Sequence, residues 1–298
     1  MPDAPRIVLF CHSLESDWNH GNAHFLRGIA RELVGRGFDF HAYEPHDGWS
    51  ATNLKTDHGA GALSAWRDAY PPFAVHHYDP KALDLDRALD GAALVIVHEW
   101  TDASLVARIG RHRRGGGRYL LLFHDTHHRV VSDRKAMASL ELDDYDGVLA
   151  FGEVLRNAYI DLGWARRAFT WHEAADTALF RPRRTAHPER DLIWVGNWGD
   201  GERTAELDEF LIAPIAELGL QAAIHGVRYP EAARRRLKRA GIAFGGYLPN
   251  HRVPDAFGAA RMTVHVPRRP YTRLLPGIPT IRMFEALACG IPLISAPW

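Results

Sequence analysis

The chain has 298 residues, 36 basic and 36 acidic side chains giving a formal net charge of zero at pH 7, 46% hydrophobic residues and two cysteines. At about 150 residues per domain this length predicts two domains with ordinary cores, and the composition excludes a disordered or fibrous chain. Balanced charge, with arginines in every segment, excludes a chain-wide electrostatic footprint, so no nucleic-acid partner is expected.

The basic runs at 111–114 and 234–239 read as solvated helix ends or faces. Cys11 and Cys289 both fall in apolar surroundings, which fits small buried thiols in a reducing compartment better than a disulfide framework, and a cytoplasmic protein is expected. The opening MPDAPRIVLF carries no basic segment followed by a long apolar run, and no stretch reaches bilayer-spanning length. Peripheral membrane contact stays open.

In chain order, an apolar run at 7–11 predicts a strand and 25–33 a helix. Between them WNHGNAHF puts Gly21 at a turn where backbone approaches a bound group closely, with Asn22 and His24 at the helix start. These three are candidate substrate contacts, against the alternative of an ordinary capped turn. Runs at 94–97, 119–123 and 148–151 then alternate with amphipathic segments at 103–109 and 154–162, a βα rhythm.

LLFHDTHHRVVSD puts His124, Asp125, His127 and His128 just past the strand at 119–123. Three histidines and an aspartate invite a metal reading, but the spacing has no zincin or zinc-finger pattern, so no metal is expected. His124, Asp125 and His127 are the candidate catalytic residues; a polar loop that anchors the strand end is the alternative. The pairs Asp84/Asp86 and Asp144/Asp146 copy a DxD metal motif but read as solvated turn residues.

RPRRTAHPER, rich in proline and charge, reads as a linker at 181–190. A second series follows, with strands at 192–195, 222–225, 243–247 and 262–266 and helices at 206–218, 232–240 and 253–260, predicting a second parallel sheet. Ligands of such folds sit beyond the carboxyl ends of strands, so two facing α/β domains imply a cleft.

The last segment, PGIPTIRMFEALACGIPLISAPW, predicts a helix at 281–289 stopped by Gly290 and a buried strand at 292–295. Free backbone N–H groups at that helix start suit a diphosphate, and Glu285 in its first turns suits the two hydroxyls of a ribose; a capped surface glutamate beside a core helix is the alternative. VGNWGDGER supplies a glycine-rich turn in which Gly196 and Asn197 let backbone approach a phosphate or sugar, and Arg203 a cation for the departing diphosphate. Arg268, Arg269, Tyr271 and Arg273 form a second patch just before Gly277, although surface arginines with no such role are the alternative for each. The chain stops directly after the strand at 292–295, which predicts a truncated form or an unusual chain end.

HEAADTALFRP, with Asp176, Phe180 and Pro182, resembles the linker-entry signature of GT-B glycosyltransferases of family 4. GYLPNHRVPDAFGAARMTVHVP and RMFEALACGIPLIS resemble that family's later strand, helix and strand and its nucleotide-binding helix, in the same order. WNHGNAHFLRG, the HDTHH segment, VGNWGDGER and GIPTIRMFEALACG together resemble the CgeB-like, spore-maturation branch. The resemblance covers nearly the whole chain. It implies two Rossmann-like α/β domains facing across a cleft, an acceptor-side domain at 1–180 and a nucleotide-sugar-binding domain at 191–298 that is incomplete at its C-terminus.

It further implies transfer of a sugar from a nucleotide-sugar donor to an unknown acceptor, with no cofactor beyond the donor, no obligatory metal and retained anomeric configuration. Glu285, Arg203, Arg273, Gly196, Asn197 and Gly277 would serve the donor, and His124 would lie near the donor sugar. The family usually carries a second glutamate where this chain has Gly277. A catalytically inactive nucleotide- or sugar-binding module and a metal-dependent hydrolase using 124–128 are the alternatives. The base, donor sugar, acceptor and oligomeric state are not legible.

Overall fold

The computed structural model describes residues 4–183, 185 and 187–297. The chain divides into two compact units, Met1–Ser16 with Leu26–Glu173, and Asp17–Phe25 with Ala174–Trp298. The segment read as a linker belongs with the second unit, positions 184 and 186 lying outside the described residues. Thr185 and Glu189 donate to the carbonyls of Gly258 and Ala259 at 3.3 and 2.9 Å, and Arg183 pairs with Asp255 at 2.6 Å.

The first unit is built on seven strands: β1 (Arg6–Phe10), β2 (Asp39–Pro45), β3 (Ala74–Tyr78), β4 (Ala92–His98), β5 (Leu120–Asp125), β6 (Gly147–Ala150) and β7 (Ala168–Thr170). They lie in the order β3-β2-β1-β4-β5-β6-β7, every pairing parallel. Sheets of this kind are covered on both faces, so their inner strands are apolar almost continuously. Val8, Phe10, Val95, Val97, Leu121, Phe123 and Val148 are fully buried. The three-residue β7 was not foreseen, nor were β2 and β3. Their sequences, DFHAYEP and AVHHY, are rich in polar side chains, and β3, at the sheet edge, is mostly half-buried or exposed.

The second unit has β8 (Arg190–Val195), β9 (Ala222–His225), β10 (Ala243–Gly246), β11 (Ala260–His265) and β12 (Leu293–Ser295), in the order β10-β9-β8-β11-β12, again all parallel. Leu192, Trp194, Leu211, Ile215, Ile224, Leu237 and Val264 fill its core. The helix expected at 206–218 forms as α-helical Thr204–Leu207 and Ala213–Leu218 joined by a wider π turn over Asp208–Ile212. Pro214 lacks the N–H that a regular α-helix would use there, and such a defect is commonly absorbed by a local change of helical pitch. No helix among the described residues is long and apolar enough to cross a membrane.

Two loops at the carboxyl end of this second sheet meet backbone to backbone. A Cβ on Gly226 would lie 1.9 Å from the carbonyl oxygen of Gly196. Gly226→Ala therefore has to push apart the loops after β8 and β9. We expect it to lower unfolding free energy by about 1–3 kcal/mol, the usual range for overpacking, in urea denaturation. A loss below a few tenths would contradict the close approach.

Candidate functional site

In the second unit the chain leaves β8 toward β9 on one side and later returns to β11 on the other, so strand order reverses between the carboxyl ends of β8 and β11. Ligands of open α/β sheets bind at such a point. Arg203 ties the two ends together. Its Nη1 donates to the Val266 carbonyl at 2.9 Å, its Nη2 to the Asn197 carbonyl, and its Cζ lies 5.1 Å from the centre of the Trp194 ring. Its Nε is buried with no hydrogen-bond partner among the described residues. Burial, and after it the nearby Arg268, lowers the pKa of this guanidinium to about 9. A buried cation answered only by carbonyl oxygens is stabilised by an incoming anion, which supplies both the missing acceptor and the opposite charge.

His265 ends β11. Its Nε2 lies 2.8 Å from Thr280 Oγ1 and its Nδ1 3.3 Å from Ser295 Oγ. Burial first, then Arg203 and Arg282, hold its pKa down to about 3, so the ring is neutral. Thr280 directly precedes the helix Ile281–Ala288. Its hydroxyl faces His265, and the first N–H groups of that helix receive no side-chain cap.

Glu285 sits in this helix, as the sequence indicated, but it is fully buried. Its Oε2 accepts from Arg282 Nη1 one turn earlier, and its Oε1 lies 2.9 Å from His24 Nδ1. The His24 ring packs 4.4 Å from that of Phe180, whose own amide closes a turn on the Asp176 carbonyl at 2.7 Å. The segment 172–182 and the WNHGNAHF turn thus meet the helix Ile281–Ala288 within one unit. Arg282 and His265 escaped the sequence reading. The signal for Arg282 was its three-residue spacing from Glu285, which puts both on one helix face.

The other expected donor residues fall around the same loops. The Asn197 amide braces them, Nδ2 donating to Asn19 Oδ1 and Oδ1 accepting from Val227 N at 2.9 Å. Gly196 N donates to the His225 carbonyl at 2.8 Å. The Gly21 carbonyl accepts from Asn250 Nδ2 at 3.3 Å, and Asn22 is half-buried just before the helix Ala23–Gly35. Gly277 has φ +81°, a backbone conformation that disfavours a glutamate at this position. Arg273 is exposed near the end of the helix Arg269–Leu274.

In the first unit His124 and Asp125 are the last residues of β5, not residues beyond it. Pairing continues from β4 and β6, with His98 opposite His124 and Asp125 opposite Ala150. Asp125 Oδ2 accepts from Tyr159 Oη at 2.7 Å and Oδ1 from His127 N at 2.9 Å. Glu99 Oε1 accepts from Thr126 N at 3.0 Å, and its Oε2 is 3.4 Å from Arg129 Nε. Burial raises the pKa of both carboxyls, and Asp125 raises that of Glu99 further. His124, fully buried between the Trp171 and His98 rings at 5.0 and 5.2 Å, is held down to about 3 by burial. A base this weak takes no proton near neutrality. His127 is half-buried, its ring 5.2 Å from that of Trp100, whose exposed indole carries Arg129 at 4.0 Å.

The group among the described residues whose atoms converge closely enough to share an ion is Glu15, Glu44 and His77, apart from the 124–128 segment. Its charges are already answered. His77 Nε2 lies 3.1 Å from an oxygen of each glutamate, Arg67 pairs with Glu15, and Glu44 Oε2 accepts from Ser13 Oγ and Leu14 N at 3.1 and 2.6 Å.

Comparison with known proteins adds a family and a fold. Residues 203–298 match the family model described as glycosyl transferase-like. No curated protein matches the chain. Among solved structures, an alpha-glucosyltransferase in complex with UDP and a 13-mer DNA aligns with TM-score 0.61 at 11% identity over 99% of this chain and 79% of that one. A T4 phage beta-glucosyltransferase aligns with TM-score 0.54 at 13% identity over 96% and 78%, and T4 phage BGT in complex with UDP and Mn2+ with 0.55 at 11% over 96% and 79%. At such identities the likeness is one of fold: the chain has the Rossmann-like, parallel α/β architecture of GT-B glycosyltransferases. The expectation of no nucleic-acid partner is corrected. Structures of this fold hold DNA, so zero net charge does not exclude it.

The burial of His124 has a consequence for stability. Its folded pKa of about 3 lies below its unfolded value near 6.5, so the unfolded chain binds the extra proton between those limits. Its contribution is fully present above about pH 6.5 and is lost as pH falls toward 3, at up to about 1.4 kcal/mol per pH unit. In unfolding titrations from pH 7 to 4, His124→Phe should show a shallower decline than the parent chain. An equal slope would contradict the assignment.

Proposed function

We propose that the chain is a glycosyltransferase that binds a nucleotide-sugar donor in its second unit and transfers the sugar without an obligatory metal. The observation that carries this reading is Arg203, a buried guanidinium with an unanswered Nε where strand order reverses. The glycosyl transferase-like match beginning at residue 203 supports it. When the bond between the sugar C1 and the diphosphate oxygen breaks, its electron pair leaves with the diphosphate. A cation already desolvated beside that oxygen lowers the barrier without reorganising at the moment of reaction.

The resemblance to family 4 supports retention of configuration: the acceptor oxygen bonds C1 on the face the diphosphate leaves, and its proton passes to the departing oxygen. No protein nucleophile is required. His124, neutral and rigidly packed, would orient a hydroxyl. UDP appears with the alpha-glucosyltransferase and the T4 phage BGT, which supports a uridine diphosphate donor for this chain as well. DNA accompanies UDP in the former, so nucleic acid stands among the acceptor classes to be assayed. The CgeB-like assignment rests on its four sequence motifs.

One feature favours a second reading, an inactive donor-binding module. Gly277 occupies the position of a sugar-contacting glutamate in the family, at a φ of +81°. Binding without turnover of any donor would mark that outcome.

The test is calorimetric titration with UDP and UDP-glucose in the presence of a chelator. The parent chain should bind both, and Arg203→Ala should weaken both roughly tenfold or more, the usual cost of a lost charge-assisted contact. Equal affinities in a folded variant would remove Arg203 from the donor site; binding abolished by the chelator would overturn metal independence.

A further inference from the structure

Three adjacent parallel strands of the first unit bring titratable groups to one end of their sheet. Glu44 and His77 are register partners near the ends of β2 and β3, so both side chains leave the same face. Glu15 lies in the loop that follows β1, the next strand over. A carboxylate oxygen from each glutamate and a ring nitrogen of His77 fall within 4.8 Å of one another. Ligands of open α/β sheets bind beyond this carboxyl end.

Each carboxylate divides its oxygens in the same way. Glu44 Oε2 accepts from Ser13 Oγ, Leu14 N and Glu15 N at 3.1, 2.6 and 3.2 Å, and its Oε1 lies 3.1 Å from His77 Nε2. Glu15 Oε1 pairs with Arg67, and its Oε2 lies 3.1 Å from the same Nε2. One oxygen of each group is thus held by the protein and the other turned to a single imidazole nitrogen. The His46 ring stacks on that imidazole at 5.7 Å and restrains its plane. Partners of this kind are what orient metal ligands. Four-coordinate zinc, with bonds of about 2.0–2.1 Å, sets its ligand atoms about 3.3 Å apart. Both nitrogen–oxygen separations at the cluster, 3.1 Å each, come close to that spacing.

The other occupant of that space is a proton. With His77 protonated, His77 and Arg67 offset the two carboxylates and the cluster is a closed ion-pair network. Burial favours a metal ion in the proton's place. The carboxylates are enclosed, at 10% and 2% side-chain exposure, whereas His77 at 36% and Arg67 at 51% stand at the rim. The inner oxygens are therefore already desolvated and preset, and a compact divalent charge bonds both at once where a proton bonds one at a time. We propose that Glu15, Glu44 and His77 form a divalent-cation site for zinc or an ion of its size, with a fourth position open to water. The ion takes the lone pair of Nε2, whose proton passes to solvent, and cross-links the ends of β2 and β3 to the loop after β1. Arg67 competes with it for Glu15. The site lies in the first unit, uses none of the donor residues and stands or falls independently of the donor-site reading.

The experiment is calorimetric titration of the chelator-stripped full chain with Zn2+ and, separately, Mn2+, followed by thermal unfolding with and without Zn2+. The chain should bind one Zn2+ more tightly than Mn2+, following the affinity order of divalent ions, and its transition should rise by a few degrees at saturating ion. His77→Gln and Glu15→Gln, each checked for native circular dichroism, should weaken Zn2+ by roughly hundredfold or more, since even the partners of metal ligands are worth ten- to hundredfold. Arg67→Gln should bind several-fold tighter, a gain that an ion pair kept for structure alone does not forecast. Unchanged affinity in both ligand variants places the ion elsewhere among the chain's 18 histidines and overturns the proposal. So does a parent chain that takes up neither ion at micromolar concentration. Should one ligand variant fail to fold, the other and Arg67→Gln decide the matter.

Discussion

The second unit depends on how it holds positive charge at the end of its sheet. Arg203 is answered by two backbone carbonyls and an indole face, with no carboxylate and one donor left over. Buried cations normally come with an acidic partner, because the low dielectric that strengthens a pair makes an isolated charge costly. An unpaired one is tolerated where a ligand supplies the opposite charge. Burial first, and then Arg203 and Arg282, keep His265 neutral at the same sheet end.

The loops that create this environment are tightly constrained. Gly196 approaches Gly226 so closely that neither loop accepts a side chain at the contact, and Asn197 spends both ends of its amide on neighbouring loops. Asp17–Phe25, which follows β1 in the chain, belongs structurally to the second unit. Asp17 accepts from Tyr247 Oη and from Asn250 N at 3.0 Å, and His24 lies against Glu285. A segment read as a substrate-binding turn therefore helps to build the surroundings of the helix Ile281–Ala288.

Much of the fold was legible because inner strands of a parallel sheet are unmistakably apolar. VLF at 8–10, LVIV at 94–97 and LIWV at 192–195 all sit where their periodicity put them. The strands that escaped are β2 and β3, where polar side chains break the pattern, and β7, which is only three residues long. The site was legible in part. Glu285, Arg203 and His24 carry the resemblance to a known family, but sequence spacing says nothing about which side chain a carboxylate will face after folding. That is why Arg282 and His265 were missed, and why His124 was read as a loop residue when strand pairing carries on through it. Net charge misled for a related reason, since recognition of DNA requires only a local surface and zero net charge says nothing about its absence.

The central claim is that the donor's diphosphate lies over Arg203 where the strand order of the second sheet reverses. A crystal structure of the chain with UDP tests it most directly. The account predicts phosphate oxygens within about 3 Å of Arg203 Nε, hydrogen-bond distance, with the nucleoside continuing along the carboxyl ends of β8 and β11. A nucleotide bound elsewhere, with Arg203 Nε still unanswered, would contradict it.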